Sequence, residues 1–298
     1  MWLLYAMLAA ITFGLRGVLY QWSSKQAMNR NLMLFGVFFT GVILCSLIAV
    51  ISGSQWTSTS LIGILMGLFS FVASASMYRG YAVGKASLIA ILTAMPPIVV
   101  ILLAFLLWGE KLNGMQSISF AIIVIGILLI RYSSDLSFKQ LKGVGWGLLC
   151  MLFFGLNDTA GKQATNLNSD HSITLFFMFL TGSVCFLLLY LLEQRKTRRL
   201  AAAAPPEDQH TGTDAHQWSK RKTILWGMLV GITNVTGMYM ILQAFAGGLA
   251  GLVSAVVALN VLIILFYSRF ILKEKFRAME IAGMTLAVCG ILLLRLFS

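Results

Sequence analysis

Charge is what this chain of 298 residues has least of: only 11% of its residues are Asp, Glu, Lys or Arg. Ordinary soluble domains carry about 25%, so a water-facing globular surface is excluded. Acidic residues are the scarcer sign, 10 against 22 Lys and Arg. Only one of them, Asp158, falls deep inside an apolar run, so the paired carboxylates of aspartyl chemistry are missing. The three histidines lie in gaps between apolar runs and form no H-E-x-x-H, which excludes metalloprotease chemistry. The four cysteines (Cys45, Cys150, Cys185 and Cys289) sit within apolar runs without metal-ligand spacing and read as small core residues. A G-x-x-x-x-G-K-[ST] loop is also absent, which excludes a P-loop nucleotide site within this chain. An enzyme is not expected, and neither is a metal or other cofactor.

What is present is apolar. Hydrophobic residues make up 59% of the chain, and the mean hydropathy is +0.87. The net charge of +12 is confined to short gaps between long apolar runs. That pattern belongs to a multi-pass membrane protein with lipid around it, not to a nucleic-acid binder.

A bilayer core of about 30 Å takes roughly 20 residues of helix. On that ruler the sequence predicts ten spans near 2–20, 32–52, 61–80, 87–107, 114–132, 144–162, 172–192, 224–244, 250–271 and 279–297. No alternating ten-residue strands occur, which excludes a β-barrel. All seven tryptophans lie at or near span ends, the depth that amphipathic indoles prefer. The polar stretch 193–222, with its RKTRR and KRK runs, reads as a mobile linker.

The chain also repeats itself. A shift of 141 carries Phe13-Gly14-Leu15 onto Phe154-Gly155-Leu156 and Thr40-Gly41 onto Thr181-Gly182. Beyond the linker the offset becomes 164. Gly63 and Gly67 then meet Gly227 and Gly231, Glu110-Lys111 meets Glu274-Lys275, and Gly126-Ile127-Leu128-Leu129 meets Gly290-Ile291-Leu292-Leu293. Leu and Ile coincide by chance in apolar helices, but paired glycines and a Glu-Lys pair in register do not. The expected organisation is a first five-helix repeat over 1–132, a connecting loop at 133–143 and a second repeat over 144–298. Five is odd, so the second repeat enters the membrane inverted, the arrangement that supports alternating access.

Lys and Arg set the orientation. Eighteen of the 22 lie in, or at the edge of, the gaps after spans 1, 3, 5, 7 and 9, while Lys111, Lys162 and Arg295 lie in the other gaps or at the termini. The positive-inside rule then puts the linker in the cytoplasm and both termini outside, in a cell (inner) membrane.

Two charges fall inside spans: Arg16, and Asp158 beside the residue Asn157 that the 141 shift equates with Arg16. Each costs about 2.5–3.5 kcal/mol at a helix centre, so each is expected to face protein or water. Their equivalent depths suit either a charged floor for a substrate cavity or a closed ion pair fixing spans 1 and 6 together. Ser70 and Asn234 correspond in spans 3 and 8, and Arg79 and Gln243 near the ends of the same spans. Pro96 and Asn260 correspond in spans 4 and 9. Pro96 frees carbonyls in mid-span, and the Asn260 amide is suited to a similar break. Asn234 and Asn260 either line the cavity or bond across helices. Arg79 either lines it or snorkels to the interface.

These residues resemble the ten-span EamA-type members of the drug/metabolite transporter superfamily. The resemblance rests on the five-plus-five duplication, Phe13-Gly14, Pro96, the Gly109-Glu110-Lys111-Leu112 turn and the GILLI ending of span 5. It implies an all-α bundle with a central cavity lined by spans 1, 3, 4, 6, 8 and 9, and spans 5 and 10 at the periphery. It also implies that Glu110 and Glu274 are structural, capping the next helix. The chain departs from the family pattern at Lys273 in place of glycine, at Asn260 in place of proline, and at Arg16 in place of an acid.

The expected function is secondary transport, as export of a small polar or anionic metabolite or amino acid. Arg16, Asn157, Asp158, Asn234, Asn260, Arg79 and Gln243 are the candidate substrate-binding residues. Arg16 is assigned to a carboxylate or phosphate, and Asp158 to pairing with Arg16 or to proton coupling. The alternative is a receptor or scaffold subunit acting through the basic linker.

Overall fold

The computed structural model describes every residue except 25, 84–85, 132–142, 204–217, 272, 274–277 and 298. The second Glu-Lys pair, the centre of the linker and almost all of the connecting loop therefore lie outside the described residues. The described residues form helices and no strand. In chain order they are α1 (Trp2–Ser24), α2 (Arg30–Ile51), a 3-10 turn (Ser58–Leu61), α3 (Ile62–Val83), α4 (Ala86–Thr93), α5 (Pro96–Trp108) and α6 (Gly114–Arg131). The second half has α7 (Val144–Asn166), α8 (His171–Ala203), α9 (Lys220–Gly247), α10 (Ala250–Val257), α11 (Asn260–Phe270) and α12 (Ala278–Phe297).

Eight helical segments among the described residues are long and apolar enough to cross a membrane. This is a multi-pass membrane protein. Two further helices accompany them: α6, whose apolar part Gly114–Ile130 is shorter, and the 23-residue α7, which carries Asn157, Asp158 and Lys162. Large apolar side chains such as Ile11, Leu47, Leu102, Leu188, Leu229 and Leu292 stand on the outside of the bundle, as lipid contact requires.

Two expected spans are broken helices. The 87–107 run is divided between α4 and α5 at Ala94-Met95, because Pro96 begins α5 and offers no N–H to the turn before it. The 250–271 run divides between α10 and α11 at Ala258-Leu259. The two breaks fall at equivalent positions under the 164 offset, and Asn260 stands at the first position of α11 where Pro96 stands in α5. The flanks of the expected linker are helical: α8 continues to Ala203 and α9 starts at Lys220, with Ser219 accepting from the Lys222 N–H at 3.3 Å.

The halves interlock by reciprocal contacts, many of them at glycines. A Cβ on Gly67 of α3 would stand 2.5 Å from the Met178 carbonyl oxygen of α8, and one on Gly231 of α9 would stand 2.6 Å from the Val37 carbonyl oxygen of α2. Gly41 faces the Phe179 ring and Gly182 the Phe38 ring. Gly126 lies against Ala287, and Gly290 against Ile123. Gly14 lies against Ile263, and Gly155 against Val99. In each pair the second contact is the first shifted by 141 or 164. The helix partners follow suit: α1 packs on α9, α10 and α11, α7 on α3, α4 and α5, and α6 and α12 chiefly on each other.

The turn after α5 places Glu110. Gly109 adopts φ 64°, giving its N–H to the Phe105 carbonyl at 3.0 Å, and Glu110 gives its own to Ala104 at 3.3 Å. This is a left-handed helix stop that glycine adopts at little cost. Its counterpart Lys273 holds φ 57° without being glycine.

Three stability outcomes follow from this packing and from the turn conformation. Gly67→Ala should destabilise the protein by about 1–3 kcal/mol, lowering its melting temperature in detergent. Gly114→Ala, whose Cβ meets nothing within 4 Å, should leave that temperature unchanged. Lys273→Gly should raise it by the equivalent of about 1 kcal/mol, the left-handed penalty of a residue with a Cβ.

Candidate functional site

Arg16 lies half-buried on α1 and reaches across the two halves. Its guanidinium donates to the Asn234 Oδ1 on α9, a residue only 3% exposed. The rings of Phe13 and Tyr20, one turn before and one after it, lie 4.4 Å and 5.9 Å from the guanidinium carbon. Residues three and four apart share a helix face, so α1 wraps its own charge in aromatic surface, an arrangement favourable to a cation. Gly14 lets α11 come close from the other side, where a Cβ would meet the Asn260 carbonyl oxygen at 2.9 Å.

Asp158 is half-buried on α7, and its carboxylate accepts from the Ser254 hydroxyl at 2.7 Å. Ser254 belongs to α10, the half-helix just before the break. Arg16 is within electrostatic reach of this carboxylate, and the Asn157 side chain lies next to it. Asn157 is 5% exposed, and its Oδ1 is buried with no hydrogen-bond partner. The amide nitrogen end of the same side chain donates to the Asp158 carboxylate, so Asn157 is held at one end and free of a protein partner at its oxygen.

Four of the seven expected site residues are thus brought together, Arg16 on α1, Asn157 and Asp158 on α7 and Asn234 on α9, while Asn260 starts α11 with its backbone carbonyl beside Gly14, on the other side of α1 from Arg16. The other two do not join them. Arg79 is exposed, and its guanidinium faces the Trp146 ring at 5.5 Å, the contact of a cation at a membrane interface. Gln243 is also exposed and lines a cavity of about 460 Å³ with Asp170, His171, Ser172 and Tyr239. Its Nε2 lies 3.3 Å from the His171 Nδ1. In the same cavity wall the Ser172 and Tyr239 hydroxyls are hydrogen-bonded, and the Asp170 carboxylate caps α8 by accepting from the Ser172 N–H at 2.8 Å.

Sequence reasoning missed Ser254, whose 164-offset counterpart is Ala90, so no doubling marked it. Glu110 is a correction. The next helix, α6, is capped instead by Asn113 and Gln116, each side chain accepting from the other's N–H at 2.8 and 3.0 Å, a reciprocal capping box. Glu110 crosses to the other half, where its Oε2 accepts from the Ala250 N–H at 2.8 Å at the start of α10. Among the described residues no group of three or more His, Cys, Asp or Glu is placed to hold a metal ion.

The sequence model of the EamA-like transporter family matches residues 1–132 and again 141–296. The chain belongs to this family. It is a membrane transporter of the drug/metabolite transporter superfamily. No curated protein matches the transporter. Among solved structures, 29 chains match. One, described only as "Crystal structure of protein", is 14% identical and superposes with a TM-score of 0.72. It covers 100% of this chain, which in turn covers 99% of it, and at that identity the likeness is one of fold.

Asn157→Leu should lower the melting temperature of this transporter by the equivalent of about 1–3 kcal/mol, because it takes a side-chain donor away from the Asp158 carboxylate. Transport by the same variant should fall, as measured by flux into proteoliposomes.

Proposed function

We propose that this transporter is a secondary exporter of a small polar or anionic metabolite or amino acid, working by alternating access between two inverted repeats of five spans. The repeats run over 1–132 and 144–298, with α4–α5 and α10–α11 each forming one interrupted span. The reciprocal glycine contacts support this reading, because a two-fold relation makes residue i touch j' wherever i' touches j. So do the matched breaks, since interrupted helices at equivalent positions of two halves mark the binding region of such transporters. The lysine and arginine bias supports termini outside and a cytoplasmic 193–222 linker, in a cell membrane.

One observation carries the substrate reading: Arg16 extends from the first half to Asn234 of the second, inside an apolar bundle. A guanidinium forms bidentate bonds with carboxylate or phosphate. An arriving anion takes over from Asn234, while Asn157 lines the same centre. Asp158, held by Ser254, carries the coupling proton or balances Arg16 when substrate is absent. Arg79 and Gln243 line the approaches.

The test compares metabolites in the medium of cells producing the wild type, Arg16→Ala or neither. A compound exported by the wild type should fall roughly 10–100-fold in transport efficiency with Arg16→Ala, the loss of a charge-assisted hydrogen bond. Matching profiles in all three cultures would refute export. Accumulation of a compound inside the producing cells would turn the direction to uptake.

A further inference from the structure

The basic runs RKTRR and KRK, which read in the sequence as parts of a linker, both stand on helix in the structure. At about 1.5 Å per residue, the 33-residue α8 is roughly 50 Å long, against a bilayer core of about 30 Å. Its apolar run ends at Leu192. The turns from Glu193 onward therefore stand at the headgroups and beyond them.

Both runs reach the same end of the bundle. The Glu193 carboxylate accepts from the Asn29 and Asn31 side-chain amides at 3.3 and 3.0 Å, at the start of α2. The Trp218 N–H, just before α9, donates to the Ala27 carbonyl at 3.0 Å in the same α1–α2 connection. The Trp218 ring lies 6.0 Å from that of Trp22 and 6.3 Å from that of Trp226. Such a cluster of indoles marks the depth where a membrane meets water.

On each helix one exposed stripe passes from apolar to cationic at this depth. Leu188, Leu192, Arg195 and Arg199 follow one another at intervals of four, three and four on α8, and Arg221, Leu225 and Leu229 at intervals of four on α9. Residues so spaced share a helix face, and all seven are exposed. Among the described residues no carboxylate pairs with Arg195, Arg199 or Arg221, and Glu193 is engaged by α2. Guanidinium groups at headgroup depth, above leucines at acyl depth, match a ligand with an anionic head and hydrocarbon tails.

We propose that this end of the transporter binds anionic phospholipid, with headgroup phosphates at Arg195, Arg199 and Arg221 and acyl chains along Leu188, Leu192, Leu225 and Leu229. Cations beside a membrane span are attracted to anionic headgroups, and arginine holds phosphate bidentately. The chain's own acids are the weaker occupant. The stretch between the two helices holds three, Glu207, Asp208 and Asp214, against seven Lys and Arg in the two runs, and carboxylates bring no hydrocarbon to the leucines. This surface is separate from the polar centre and does not depend on what is transported or in which direction.

Native mass spectrometry of the full chain, with phosphatidylglycerol or phosphatidylcholine added in detergent, reads the affinity for the first bound lipid of each kind. The wild type should favour phosphatidylglycerol by about fivefold or more, the gain of one engaged cation. Arg195→Gln/Arg199→Gln/Arg221→Gln should fall to within about twofold of parity, with an unchanged melting temperature because the three side chains are exposed. Arg295→Gln, on α12, which packs chiefly on α6, should keep the full preference. A folded triple variant that keeps it overturns the assignment. Displacement of the lipid by soluble glycerol phosphate also overturns it, in favour of a site for a free phosphate. So does a wild type without preference, and if Glu207→Gln/Asp208→Asn/Asp214→Asn then gains one, the chain's own acids are the occupant.

Discussion

Backbone carbonyls and amides have no water to bond in a bilayer, and every other choice in this bundle follows from that. Continuous helices satisfy it alone. The two interrupted ones cannot, so the breaks at Ala94-Met95 and Ala258-Leu259 must sit inside protein. Their enclosure explains the pairing of α1 with α10 and α11 and of α7 with α4 and α5. It explains the glycines too, for Gly14 and Gly155 sit where α1 and α7 press closest to the broken helices of the opposite half. With little hydrophobic force between helices in lipid, such close approach is what holds them together.

The polar centre inherits its geometry from this enclosure. Ser254 holds Asp158 because α10 packs against α7. Arg16 meets Asn234 because α1 packs along α9. Neither charge needed a dedicated loop. The centre brings Arg16 of the first half to Asn157, Asp158, Asn234 and Ser254 of the second.

The outline of this arrangement was legible in the sequence because glycine is rare enough in apolar helices to keep register. Gly67 and Gly231, matched at an offset of 164, do pack onto positions 178 and 37, themselves 141 apart. Asn260 was legible for the same reason, standing where Pro96 stands, and its helix breaks at the same point. Single residues without a doubled signal were not. Lys162 counted as one more cation near a span end, since its burial depends on carbonyls 83 and 86 residues away. Glu110 was assigned to the helix beside it in sequence, while α6 has its own cap and the carboxylate is drawn to α10. Arg79 and Gln243 matched in register but lie near the ends of their helices, where equivalent sequence positions reach interface and not centre.

The pairing of Arg16 with Asn234 also carries a schedule. The two residues are 218 positions apart. At about 5–20 residues per second, the ribosome makes the asparagine roughly 10–45 s after the arginine. The Phe13 and Tyr20 rings, by contrast, arrive on the same helix turn by turn with it. During that interval they cover the charge within α1 itself, so the first helix leaves the translocon with part of its wrapping already in place.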